Sequence, residues 1–116
     1  MTLLRLLSVA AGGAVGAVVR YTVSHAVAVA TRSAFPWGTF VVNAVGCFLI
    51  GILMVGSTRL VHHPDVQLLL VTGFLGALTT FSTFSLETVI LVERGVYWQA
   101  AGNVLLSIVV GILFVL

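Results

Sequence analysis

Charge is what this sequence has least of. Only 7% of its 116 residues are Asp, Glu, Lys or Arg, against about 25% in a soluble domain, so they cannot furnish an aqueous surface. Lysine is absent. Five arginines and three acids leave a formal charge of +2, too few basic groups for a nucleic-acid surface. A single cysteine, Cys47, excludes an internal disulfide and reads as an inert small residue in an apolar stretch. No glycine is followed by Lys-Ser or Lys-Thr, so no phosphate-cradling loop for ATP is present. The histidines are dispersed: His25 belongs to one apolar stretch, and His62-His63 to a polar stretch where Asp65 is the only nearby acid, most simply a solvated turn. No catalytic constellation emerges.

What is present is apolar: 60% of the residues are hydrophobic, and the mean hydropathy is +1.25. Ser33 to Thr58, Val66 to Leu86 and Val96 to Leu116 are free of charge, each exceeding 20 residues. Roughly 20 apolar residues cross the hydrocarbon core as a helix. A fourth such stretch, about Leu3 to Ala30, is interrupted only by Arg20. The reading is an all-α membrane protein: one transmembrane domain over residues 1–116, with four helical spans at about 3–30, 36–58, 66–92 and 96–116. A cleaved signal peptide is the competing reading of the N-terminus, but the apolar run is too long and lacks a small-residue cleavage site. Pro36 suits the first turn of span two, where a missing N–H does no harm. Glu93-Arg94-Gly95 makes a tight turn, and Tyr97 and Trp98 are interfacial aromatics. The sequence stops at Leu116 without a polar tail, leaving room for a short C-terminal truncation.

Four spans put Arg5 and Arg59 on one side of the bilayer and Arg32 and Arg94 on the other. Basic loops normally face the cytoplasm, and two against two favours neither orientation. Either one loop arginine is silent and a weak bias survives, or both orientations insert and pair as an antiparallel dimer. Gly12 and Gly16, and Ser107 and Gly111, are four residues apart and allow close helix approach, either between chains or within one.

Polar groups at membrane depth are costly and mark a pathway or a partner. Arg20 shares a helical face with Gly12 and Gly16; it either faces protein or a water-filled vestibule, as a fixed charge that attracts anions, or snorkels to the interface. Thr39, Asn43, Gly46 and Cys47 share a face of span two, and Asn43 either lines a pore or bonds a neighbouring helix. Thr79 to Ser85 holds five hydroxyls and two phenylalanines. Gly73 and Gly76 precede two β-branched threonines there, predicting a third helix broken near its middle, with carbonyls freed to hold a cation. Past the break, Thr80, Thr83 and Glu87 fall on one face, and Phe81, Phe84, Ser85 and Thr88 on another. The bland alternative has each hydroxyl bonded back to its own helix and the rings as packing. Span four adds Gln99, Asn103, Ser107 and Gly111 at i+4 spacing. Hydroxyl and amide donors, with ring edges carrying the positive end of the quadrupole, lean toward an anion. Glu87 is the only carboxylate within a span.

The segments GGAVGAVVRY (12–21), WGTFVVNAVG (37–46) and above all GFLGALTTFSTFSLE (73–87) resemble those of the Fluc/CrcB fluoride channels, in an order and spacing covering nearly the whole chain. The resemblance implies a dual-topology antiparallel homodimer in the bacterial inner (plasma) membrane, passing fluoride out of the cytoplasm down its electrochemical gradient and so relieving fluoride toxicity. It further implies that Phe81 and Phe84 contact the ion, that Asn43, Ser82, Thr83 and Ser85 line the pore, and that Arg20 and Glu87 belong to the vestibule and frame. A structural sodium ion, not transported, would be held by main-chain carbonyls of Gly76 and Thr79. Where well-known members carry a tyrosine and a serine four apart in the pore lining, this chain has Asn103 and Ser107, which the resemblance places in the fluoride pore, so a donor is retained at a changed position.

Two other readings compete. A small multidrug-resistance-type proton-coupled exporter needs a carboxylate in span one, which has Arg20 and no acid. A structural scaffold calls for apolar packing faces and leaves the hydroxyl cluster without purpose.

Overall fold

The computed structural model describes residues 2–55 and 63–116. Its helices are α1 (Leu3–Thr31), α2 (Trp37–Val55), α3 (residues 64–78), α4 (Phe81–Glu93) and α5 (Tyr97–Val115). Taken as one interrupted rod, α3 and α4 form the third of four helices long and apolar enough to cross a membrane. The 29 residues of α1 rise about 43 Å at 1.5 Å each, more than the ~30 Å hydrocarbon core requires. The expected end of span two near Thr58, and Arg59 and His62 of the following turn, lie outside the described residues. The third span begins earlier than the apolar run: His63 Nδ1 accepts the Asp65 amide at 3.2 Å, and Pro64 takes the first turn of α3.

Among the described residues few side chains are buried, and Val42, Leu75 and Leu78 form a narrow seam with Val19, Val23 and Phe74 against them. Large apolar residues such as Leu4, Val18, Ile52 and Leu113 point outward. That inversion suits a lipid solvent, where helices gain nothing from hiding leucine and associate by close packing instead.

Glycine makes the packing possible. A Cβ on Gly12 would lie 2.1 Å from the Leu69 carbonyl oxygen, and one on Gly16 2.3 Å from that of Phe74. From the opposite side, Gly73 faces the Val9 carbonyl, 2.8 Å from where its Cβ would stand. The backbones of α1 and α3 therefore touch directly, and the Gly12/Gly16 stripe is used within the chain. Ser107/Gly111 also finds an intrachain neighbour, since Gly111 faces Cys47 Sγ across α2 and α5. Neither pattern argues for oligomerisation.

Along this seam α3 winds as a π-helix from Leu68 to Leu75. The break follows at Thr79–Thr80, both extended (φ −88°, ψ 152°; φ −149°, ψ 120°), in the middle of the span. Gly73 and Gly76 were expected to weaken the helix; they stay helical, and the chain gives way at the β-branched pair beyond them. Gly95, at φ 77°, makes the turn between α4 and α5, a conformation that favours glycine.

Candidate functional site

Breaking a helix in a bilayer strands backbone polar groups that no water can reach, so side chains must take them up. Asn43, from α2, spans the backbone of Thr80: Oδ1 accepts the Thr80 amide at 2.8 Å, and Nδ2 donates to the Thr80 carbonyl at 3.2 Å. Arg20, from α1, donates through Nε to the Ala77 carbonyl at 2.9 Å. This puts a cation at the C-terminal end of α3, where the helix dipole is negative. The arginine turns toward protein and does not snorkel. Thr80 Oγ1 caps α4 by accepting the Thr83 amide at 3.2 Å and donates to Thr83 Oγ1 at 3.1 Å.

Two cavities flank the break. The first, about 370 Å³, is lined among others by Arg20, Thr39, Thr80, Thr83, Glu87 and Arg94. Within it the Thr39 hydroxyl donates to the Glu87 carboxylate. The second, about 400 Å³, includes Asn43, Gly76, Thr79, Phe81, Phe84 and Ser107 in its wall. Thr80 belongs to both walls.

The two faces inferred for the segment after the break thus separate. Thr80, Thr83 and Glu87 look into the first cavity, and Phe81 and Phe84 into the second. The two rings lie side by side with centroids 5.7 Å apart and planes inclined at 45°, and Phe81 is 79% exposed on the flank of the chain. Thr83 is not brought together with the rings. Ser82 is exposed, its hydroxyl 3.4 Å from that of Thr80. The hydroxyls of Thr79, Ser85 and Thr88 donate to the carbonyls of Leu75, Phe81 and Phe84. For these three, the back-bonded alternative is what the structure contains. Asn103 is 1% exposed and lines neither cavity. Thr39 was legible as a member of the Asn43 face, but nothing in the sequence pairs it with Glu87. Thr80 was one hydroxyl among five, and only the geometry gives it the wall between the cavities.

Residues 7–116 match the model of the family described as CrcB-like protein, Camphor Resistance (CrcB). The chain belongs to the CrcB family. Among its curated relatives, the "Fluoride-specific ion channel FluC" of Aeromonas salmonicida is 47% identical over 104 residues, 88% of this chain and 82% of the relative. The protein of the same name from Dehalococcoides mccartyi is 43% identical over 111 residues, covering 95% and 85%. "Fluoride-specific ion channel FluC 1" of Streptomyces avermitilis is 44% identical over 106 residues, covering 91% and 86%. Family and helices together make this CrcB chain a multi-pass membrane protein, which in bacteria means the plasma membrane.

Proposed function

We propose that this CrcB chain is a fluoride-selective passive channel, not an enzyme, that releases cytoplasmic fluoride down its electrochemical gradient as an antiparallel, dual-topology homodimer with a structural sodium ion. The relatives carry fluoride channel in their names. The observation that carries the reading is the shared Thr80 wall. On one side lies a cavity with a fixed arginine charge; on the other lies one with Asn43, Ser107 and two phenyl rings. Arg20 draws an anion to the break. Fluoride is small and tightly hydrated, and its shell must be replaced by donors already in place. The Asn43 carboxamide is held still by the Thr80 peptide and has a second N–H to offer. Ring edges at Phe81 and Phe84 add the positive end of their quadrupoles. Hydrogen fluoride crosses bilayers unaided and dissociates inside, so a passive pore is enough to let the trapped anion out.

The dimer rests on where the second cavity opens. Asn43, Thr80, Ser107 and the mostly exposed Phe81 meet on the flank of one chain. In a lone subunit these polar groups would meet acyl chains, which is costly; a second copy covers them. The even arginine count supports insertion both ways.

The residues at the break fit sodium. In an unbroken helix the Gly76 carbonyl would receive the Thr80 amide, and the Thr79 carbonyl that of Thr83. Those amides instead bond Asn43 Oδ1 and Thr80 Oγ1, and Gly76 is exposed on the flank of the chain. Main-chain oxygens released this way are ligands of the kind that hold Na⁺ in broken membrane helices. Bound there, the ion supplies a fixed positive charge that satisfies carbonyls the break leaves over.

Purified protein in liposomes loaded with potassium fluoride or potassium chloride, with valinomycin to balance charge, tests the function. Fast fluoride efflux with negligible chloride efflux is expected. Retention of both anions, or proton-driven uptake of cationic drugs, overturns the reading.

A further inference from the structure

The buried Asn103 makes more hydrogen bonds than packing of α5 against α4 would need. Its Oδ1 accepts the Ser107 hydroxyl at 3.3 Å, its Nδ2 donates to Thr88 Oγ1 at 2.9 Å, and Thr88 Oγ1 in turn donates to the Phe84 carbonyl at 2.8 Å. Every proton in this chain runs one way, from the ring-lined cavity toward the backbone of Phe84. Ser107 is the only one of the three polar residues that lines the cavity.

A serine hydroxyl has one proton to donate. Here that proton is turned toward Asn103 across a long 3.3 Å bond, so in this arrangement Ser107 turns lone pairs to the cavity. An anion beside Phe81 and Phe84 would be repelled by that orientation. To receive a hydrogen bond from Ser107 it must compete with a buried carboxamide oxygen that has no water to turn to. The Nδ2–Thr88 bond holds the carboxamide in the orientation that accepts from Ser107.

From this geometry, and resting on the proposed fluoride channel, we infer that Asn103 is a positioning residue that holds the Ser107 proton away from the permeating anion. It thereby keeps Ser107 a weak, releasable donor. Asn103 itself does not touch the ion. Its role is to prevent fluoride from settling too firmly between Ser107 and the rings.

The test is the fluoride dependence of efflux from proteoliposomes for the unmodified channel, Asn103→Leu, Ser107→Ala and the double variant, each reconstituted as the full chain. Asn103→Leu frees the Ser107 proton and should lower the half-saturating fluoride concentration about fivefold, the equivalent of one ordinary hydrogen bond of about 1 kcal/mol. In the double variant this shift should vanish, because there is no Ser107 proton left to release. Thr88→Val unties the carboxamide without touching Ser107 and should shift the constant in the same direction by less, which keeps the idea testable if Asn103→Leu does not assemble. An unchanged half-saturation in both single variants at the Asn103 end, or a shift that persists in full without Ser107, overturns the inference. Failure of the unmodified protein to pass fluoride would instead overturn the channel reading beneath it.

Discussion

At the scale of single residues, the site is built around the backbone of Thr80. Thr80 stands between two helices, and Asn43 bonds both its amide, which has left the helix ladder, and its carbonyl. Replacing Asn43 by alanine leaves the half-buried Thr80 amide without a partner and its carbonyl with only the first bond of α4, which costs about 1–3 kcal/mol. The expected result is a lower melting temperature in detergent together with slower fluoride efflux; a variant that melts with the unmodified protein would mean the break is held by something else. Arg20 offers a second test. Its Nε–H reaches the Ala77 carbonyl, and the rest of the guanidinium keeps its charge in the first cavity. Arg20→Gln should slow fluoride entry most at low ionic strength, where a fixed charge steers an ion best. Equal slowing across a salt titration would assign the arginine to structure alone. Asn43 illustrates how far sequence carries. Its depth and face were legible, and position alone favoured bonding a neighbouring helix over lining a pore. It bonds Thr80 and also lines the second cavity, because a carboxamide has two donor and two acceptor directions to distribute.

At the scale of helices, the stretches that span were legible because twenty apolar residues without a charge have few alternatives to a membrane helix. Thr79–Thr80 was legible as a weak point because β-branched residues lose rotamer freedom in a helix. What the sequence does not carry is the partner of each face. Gly12 and Gly16 suit another chain as well as this one, and only the structure assigns them to the backbone of α3. The assignment makes a sharp prediction. Alanine at Gly12 or Gly16 would drive a methyl group into the Leu69 or Phe74 carbonyl, backbone that cannot rotate aside, and should cost about 1–3 kcal/mol. Alanine at Gly13, whose Cβ would stand 3.9 Å from the Gly73 carbonyl, or at Gly102, with nothing within 4 Å, should be tolerated or slightly stabilising. Thermal unfolding of the four variants in one detergent compares them directly. Equal losses at all four would show that α1 and α3 do not meet along this seam.

At the scale of the whole molecule, the proposed antiparallel pair can be tested through charge. With four spans, the order of the sequence puts Arg5 and Arg59 on one side and Arg32 and Arg94 on the other. A bilayer protein so evenly balanced is turned by one or two charges. Arg32 stands at φ 49° at the end of α1, so Arg32→Gly removes a charge and relieves a left-handed strain together. Combined with Arg94→Gln, it leaves the excess on the Arg5 side and should insert that side toward the cytoplasm in nearly every copy. Arg5→Gln with Arg59→Gln should do the reverse. If opposed orientations are needed for the flanks around Phe81 to meet, each doubly substituted protein alone should fail to protect cells from fluoride, and the two expressed together should protect them. Arg94 lines the first cavity, so a conduction defect must be separated from a topology defect. Co-expression does this, because a subunit impaired in conduction gains nothing from a partner's orientation, whereas one lacking only an inverted partner regains function. Full protection by either variant alone would mean that same-facing subunits, or a single subunit, already complete the pathway.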